Sequence, residues 1–168
     1  MKKTIIAIAV LSAMLLTGCG GKDEAVQADA TVAATTAAPE STATAADITA
    51  AVMAEIEIPS AIEKDAENLG AFYDVDTSTV AEMSVFICGS GAFPDELAVF
   101  RFNDADAAKV GAEAVQSRLD SQIAIYADYT PDEMYKLDEA VIITKDNWVA
   151  FAACADNARA KEIIESLI

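Results

Sequence analysis

The sequence predicts an α+β domain in which a four-stranded antiparallel sheet carries helices packed on one face. Two observations predict this fold. Four short stretches rich in β-branched and aromatic residues occur in two pairs, and an amphipathic segment follows each pair, so the order ββα occurs twice. The segments AVFRFNDADAAK (98–109) and VAFAACADNARAK (149–161) are also faintly similar, which indicates a possible ββα pseudo-repeat closed by an antiparallel sheet.

Two helices are predicted before the first pair of strands. Asp47 is a plausible N-cap, and the apolar residues behind it fall on one helical face up to the stop at Pro59. Ser60-Ala61-Ile62-Glu63 has the form of a capping box for a second helix, which Gly70 can close.

The first strand pair consists of AEMSVFIC (81–88) and LAVFRF (97–102), separated by the Gly- and Pro-containing loop GSGAFPDE (89–96). An apolar stripe at steps of three and four predicts a long helix over about 105–126. Thr130-Pro131-Asp132-Glu133 has the form of another capping box, with proline at the first helical position, and predicts a short helical turn.

The second strand pair consists of AVIIT (140–144) and WVAFAAC (148–154). A last helix, capped by Asp156 or Asn157, is predicted to end at Leu167.

The N-terminus has the form of a bacterial lipoprotein signal. Lys2 and Lys3 precede an apolar run at 5–16, which is too short to span a bilayer because spanning takes roughly 20 residues. The following Leu-Thr-Gly-Cys resembles the lipobox, in which the cysteine is alkylated by a diacylglycerol and becomes the first residue of the mature chain. We therefore expect a lipoprotein signal peptide at 1–18 and lipid attachment at Cys19; the alternative is a plain signal peptide with a chance cysteine.

Two acyl chains such as palmitate hold a protein stably on a membrane, whereas one chain holds it only marginally. Residues 19–46 comprise the lipidated cysteine and an Ala/Thr-rich stretch that has too few large apolar residues to fold and predicts a flexible tether. A single α+β domain is then expected at 47–168. The predicted location is the outer, extracytoplasmic face of the cell membrane, where an envelope protein or the cell wall is the possible partner.

The composition excludes several classes of function. The net charge of −17 disfavours nucleic acid and anionic lipid headgroups, because both bind positive patches. The chain contains no histidine, which excludes Ser-His-Asp and Cys-His catalysis and histidine metal ligands. We expect no cofactor and no metal. Cys88 and Cys154 are predicted to be unpaired core thiols, and a disulfide between them is the alternative.

Two motifs resemble functional loops but lack essential residues. The stretch beginning at Asp74 starts like a calcium loop, yet Thr79 stands where a glycine is needed and Val85 where a bidentate glutamate is needed. Ser90 lies between two glycines, but the spacing is not that of a nucleophile elbow and no histidine can activate it. The sequence therefore predicts no catalytic residue.

Three residues are candidates for binding: Phe93, Glu96 and Arg118. Phe93 lies on a loop longer than a typical hairpin connection and can anchor a partner, or it can fold back onto the sheet. Arg118 is one of few basic residues and is expected to pair with a carboxylate such as Glu96 or Asp74.

The order of motifs resembles a known family. FYDVD, DELAVFRF, SRLDSQ, YADYTPDE and AVIITKDNWVAFAA follow the lipobox and tether between residues 69 and 167. Together they resemble an uncharacterised family of lipoproteins of Gram-positive bacteria, known as domain of unknown function four-three-five-eight. The positions matching its motifs are Tyr73, Glu96, Arg118, Gln122, Tyr129 and Pro131. The resemblance implies the location and the domain extent, and it implies no activity.

These observations favour a non-catalytic binding or envelope-assembly module. The competing hypothesis is a carboxylate-dependent, glycan-cleaving envelope enzyme, which needs two buried carboxyl groups roughly 5–10 Å apart in a cleft. A transport-linked substrate-binding lipoprotein is disfavoured by size, because one small domain lacks the usual two-lobed cleft.

Overall fold

A computed structural model describes residues 42–168 of the chain, so the predicted signal peptide, Cys19 and most of the predicted tether lie outside the described residues. The strands are β1 (Ala61–Lys64), β2 (Val80–Cys88), β3 (Glu96–Phe102), β4 (Val141–Lys145) and β5 (Trp148–Ala153). The helices are α1 (Ala45–Met53), α2 (Ala66–Leu69), α3 (Ala105–Tyr129), α4 (Met134–Asp138) and α5 (Asn157–Leu167), with 3₁₀ turns at Thr77–Thr79 and Pro131–Glu133.

The strands form one open antiparallel sheet with the order β1-β2-β3-β5-β4. The central strand β3 pairs with β2 on one side and β5 on the other, and Val99 lies between Ser84 and Ala150. All residues of β3 except Arg101 are buried. The two predicted strand pairs and the mixed α+β class are therefore confirmed.

The prediction of helices on one face is wrong, because helices cover both faces of the sheet. Alternate side chains of a strand point to opposite faces. Leu97 and Val99 pack in one core with α1 and α5, whereas Ala98, Phe100 and Phe102 pack in a second core with α3 and α4. Strand β3 is apolar at successive positions, so each of its faces needs a cover that excludes water.

The prediction of four strands is also wrong, because residues 61–64 form a fifth strand at the sheet edge instead of a helix. They pair with residues 85–88 of β2. Ser60 has a φ of 50°, and the helix N-cap lies five residues later, where the Asp65 side chain accepts from the Asn68 amide. A capping-box pattern is a local signal, and pairing with a distant strand overrides it here.

Two other predicted caps shift. The N-cap of α1 is Thr44, and Asp47 is the third helical residue of a reciprocal capping box with it. The folded region therefore includes residues before the predicted boundary at 47. Pro131 opens its 3₁₀ turn as predicted, but the Thr130 side chain makes no capping hydrogen bond.

The ββα pseudo-repeat is not confirmed. A two-fold axis relating the antiparallel neighbours β3 and β5 would run perpendicular to the sheet and would leave both following helices on one face. Instead α3 packs in one core and α5 in the other.

Cys88 and Cys154 are both buried and free, as predicted. Cys88 donates its amide to the Asp95 carbonyl, and the next residue, Glu96, pairs with Ala153. Asp95 therefore lies between the two cysteines, on neighbouring segments of chain. The backbones at Cys88 and Cys154 are two strand spacings apart, which is about 9.5 Å. That separation is too long for a disulfide.

Gly111 is expected to tolerate no side chain. A Cβ at this position of α3 would lie 2.1 Å from Cζ of the Phe102 ring. Alanine in a helix normally gains about 1 kcal/mol over glycine, but overpacking costs roughly 1–3 kcal/mol, so Gly111→Ala should lower the free energy of unfolding. Gly70→Ala is the matched control, because nothing lies within 4 Å of its Cβ position. Urea unfolding compares the two, and equal midpoints would contradict the prediction.

Candidate functional site

A fully buried carboxylate, that of Glu96, lies at the start of β3. Three side chains donate hydrogen bonds to it, those of Tyr73, Arg118 and Gln122. We call these four residues the carboxylate centre. Arg118 and Gln122 are four residues apart on α3 and therefore lie on the same face of that helix.

The geometry of the carboxylate centre is that of a closed set of charge-assisted hydrogen bonds. Arg118 binds Oε2 of Glu96 through Nη2 at 2.7 Å and Nε at 3.1 Å, and Gln122 Nε2 lies 2.8 Å from the same oxygen. The Tyr73 hydroxyl donates to Oε1. Tyr73 follows α2 and donates its amide to the Leu69 carbonyl, so the centre joins α2, β3 and α3.

Burial keeps the proton of the centre on Tyr73. Desolvation, together with the nearby charge of Glu96, raises the pKa of Tyr73 well above its usual value. Burial alone would lower the pKa of Arg118, but the attraction of Glu96 outweighs it and the pKa is raised. The phenol is therefore neutral and the guanidinium charged at physiological pH. The Glu96 carboxylate has donors at both oxygens and no access to solvent, so the arrangement suits positioning better than proton transfer.

A second buried acid, Asp95, lies next to the centre along the chain. Its Oδ2 is 2.7 Å from Nζ of Lys136, which also lies 2.8 Å from Glu133. Burial raises the pKa of Asp95, although the bond to Lys136 opposes the shift. Asn157 donates to the Lys136 carbonyl and accepts from the Cys154 amide. These contacts fasten α4 to the end of the sheet.

Asp95 and Glu96 do not form the pair of carboxyl groups that a glycosidase needs. Both are buried, and each is held by its own cation, Glu96 by Arg118 and Asp95 by Lys136. Within residues 42–168, no group of three or more Cys, Asp or Glu side chains is arranged to hold a metal ion.

Four aromatic residues gather at the same end of the domain: Phe93, Tyr126, Tyr129 and Tyr135. We call them the aromatic patch. The Tyr126 hydroxyl donates to the Phe93 carbonyl at 3.0 Å, and its ring meets that of Tyr129 edge-on with centroids 6.5 Å apart. The Lys136 ammonium lies 5.3 Å from the Phe93 ring centroid and 5.8 Å from that of Tyr135. Phe93, Tyr129 and Tyr135 are 37%, 66% and 46% exposed.

The three predicted binding residues separate into two groups. Arg118 pairs with Glu96, one of the two partners predicted for it, and not with Asp74. Both lie in the carboxylate centre, where Glu96 is out of reach of a macromolecular partner. Phe93 lies on the surface with its ring against Lys136, so it is exposed and also contacts the fold.

Sequence reasoning missed Lys136, Asp95 and Tyr126. Lys136 occurs in MYKLD, where nothing but its closeness to apolar residues indicates burial. The bond from Lys136 to Asp95 spans 41 residues, and that from Tyr126 to Phe93 spans 33. No local motif signals such pairs. Tyr73 was indicated by the family resemblance alone, whereas Gln122 was also indicated by its position four residues after Arg118 on the predicted long helix.

The calcium-like loop forms the 3₁₀ turn Thr77–Thr79. The Asp76 side chain caps the 3₁₀ turn by accepting from the amide and hydroxyl of Ser78. The loop and the start of α3 enclose a cavity of about 220 Å³ with largely apolar walls that include Phe102 and Val110.

The fold and site define a class: a small α+β domain with a two-faced antiparallel sheet and a buried carboxylate centre supporting an aromatic surface. Residues 54–154 match the family described as domain of unknown function DUF4358. The chain belongs to this family. Neither the curated proteins nor the solved structures include a match to the chain. Within residues 42–168, no helix has the length and apolar character needed to cross a membrane.

Glu96→Gln is expected to lower the free energy of unfolding by about 3 kcal/mol or more, because it leaves the largely buried Arg118 without a counter-charge. Glu55→Gln is the matched control. Glu55 also pairs with an arginine, Arg159, through two hydrogen bonds, but this pair is exposed and its loss should scarcely move the midpoint. Urea unfolding measures both variants.

A second variant keeps the prediction testable if Glu96→Gln fails to fold. Replacing both partners, as in Glu96→Gln with Arg118→Met, removes the buried uncompensated charge and should recover part of the lost stability. Equal losses for Glu96→Gln and Glu55→Gln would show that the centre is not a structural support.

Proposed function

We propose that this protein is a lipid-anchored, extracytoplasmic binding module that contacts an envelope partner through the aromatic patch. The proposal has two parts, an anchor at Cys19 and a binding surface formed by residue 93 and residues 126–135. No catalytic step is included.

The observation that carries the binding surface is the distribution of exposed aromatic residues. In the part of the chain that the structure describes, the large exposed aromatic side chains are Phe93, Tyr129 and Tyr135. All three belong to the aromatic patch. Exposed aromatic clusters mark interaction sites more often than scattered apolar residues do, and aromatic side chains are enriched among the residues that dominate binding energy.

The support beneath the patch favours binding without rearrangement. Loop 89–95, which carries Phe93, is held at its carbonyl groups by Tyr126 and leads directly into the buried Asp95 and Glu96. Ion pairs to Lys136 and Arg118 fix both acids. A surface that is already ordered loses less conformational entropy when a partner binds.

The anchor is supported by the basic start, the short apolar run and the small residues before Cys19. As a flexible coil, the stretch after Cys19 would span roughly 30 Å on average. That length allows the domain to reach an envelope protein or a wall polymer near the membrane. The alternative, a glycan-cleaving enzyme, gains no support from Asp95 and Glu96 because each of these buried carboxylates is held by its own cation.

The anchor is tested by feeding cells a radioactive fatty acid. The parent chain should take up the label, and Cys19→Ser should lose it because the thiol is the only acceptor in the lipobox. The described domain contains two further cysteines, so Cys88→Ser is the matched control and should stay labelled. Equal labelling of the parent and Cys19→Ser, or no labelling of the parent, would refute the anchor.

The binding surface is tested with a photo-crosslinking amino acid at position 129, compared with one at position 110. Val110 is 65% exposed on the same helix, α3, but lies outside the aromatic patch. Irradiated intact cells should give a defined envelope adduct from position 129 and none from 110. The same adducts from both positions would contradict the proposal, and adducts with wall glycan alone would favour the enzyme.

A further inference from the structure

We propose that the partner of the aromatic patch is a protein segment bearing lysine or arginine side chains, and that these cations seat on the exposed tyrosine rings. This inference rests on the proposed function and specifies the chemistry of its ligand. Three observations carry it: the charge around the patch, the state of the nearby basic residues, and a cation that the patch already holds.

The surface around the patch is acidic. The segment 120–139 supplies Tyr126, Tyr129 and Tyr135. Its charged residues are six acids and one base. The acids are Asp120, Asp128, Asp132, Glu133, Asp138 and Glu139. A concentrated field of one sign attracts a partner of the opposite sign and speeds its association.

Among the described residues, an ion pair matches one of these six acids, Glu133, and none matches the other five. The one base in the segment, Lys136, is buried and occupied by Asp95 and Glu133. Arg118, which lies on the same helix as Tyr126 and Tyr129, is occupied by Glu96. The charge on the surface is therefore left for a partner to match.

Lys136 is a cation that already contacts two rings of the patch. Its ammonium lies within 6 Å of the ring centroids of Phe93 and Tyr135, which is the range of a cation–π contact. Tyr129 is the most exposed aromatic residue of the patch, and its edge-on contact with Tyr126 leaves ring surface open to solvent. Asp128 precedes Tyr129 and Asp132 follows it closely along the chain. A guanidinium or ammonium above Tyr129 would meet an aromatic face and would lie near two exposed acids along the chain.

Other occupants fit these features less well. An anionic polymer or lipid surface is repelled by the acids. A neutral glycan can stack on the tyrosines but gains nothing from the surrounding charge. A basic protein segment gains from both, so it is the occupant that charge complementarity selects.

The test measures binding of the full chain to three probes by fluorescence anisotropy. The probes are a labelled peptide with arginines between neutral residues, the same peptide with glutamines in their place, and a neutral chito-oligosaccharide. The variants are Tyr129→Ala and the pair Asp128→Asn with Asp132→Asn. The controls are Val110→Ala and Glu113→Gln, which remove an exposed apolar side chain and an exposed charge from α3 outside the patch.

The parent should bind the arginine peptide about tenfold more tightly than the glutamine peptide, and added salt should reduce the difference. Tyr129→Ala should weaken arginine-peptide binding about fivefold, the size expected for one cation–π contact, while both controls bind like the parent. Equal affinity for the two peptides, equal losses in Val110→Ala, or tighter binding of the oligosaccharide would overturn the inference.

The outcome also separates this inference from the proposed function. A protein adduct from position 129 on cells, without preference for the arginine peptide, would leave the binding module standing and reject its basic ligand. If position 129 gives no protein adduct and the chain shows no preference for the arginine peptide, both the binding module and its basic ligand are rejected.

Discussion

Burying Glu96 at the start of the central strand requires that hydrogen-bond donors converge on it, and the fold is arranged around that requirement. Tyr73 arrives from the segment after α2, and Arg118 and Gln122 arrive from α3. An unpaired buried carboxylate would cost several kcal/mol. The carboxylate centre therefore locks α3 against the sheet at the end where loop 89–95 emerges, and it sets the place of every aromatic residue that follows on α3.

The surface above this centre combines exposed aromatic rings with a high density of negative charge, and these two properties have opposite effects on association. Exposed aromatic rings favour association, whereas a high density of like charge keeps molecules apart. At this end of the domain both occur within 20 residues of sequence. The acids therefore oppose contact between the exposed rings of different copies of the chain, because like charges repel.

Local signals in the sequence predicted the long helix, both strand pairs and the last helix, since each depends on periodicity and capping within a short window. The strand at 61–64 depends on pairing with β2, and the capping-box pattern at the same place is misleading. The apolar runs at 97–102 and 148–153 did contain a signal for two covered faces, because neither alternates with polar residues. The Arg118–Glu96 pair was predictable from the scarcity of bases, whereas the Lys136 pair joins residues too distant for any local pattern.

The packing of the N-terminal helix α1 determines how the domain resists a mechanical force applied at Thr44. Ile48 and Val52 are fully buried in the core, and Thr49 bonds to Ser84 of β2 at 2.7 Å. Thr44 therefore leads directly into a helix that is packed against the sheet. A pull applied to the chain at Thr44 therefore acts on a helix that is held by interior packing.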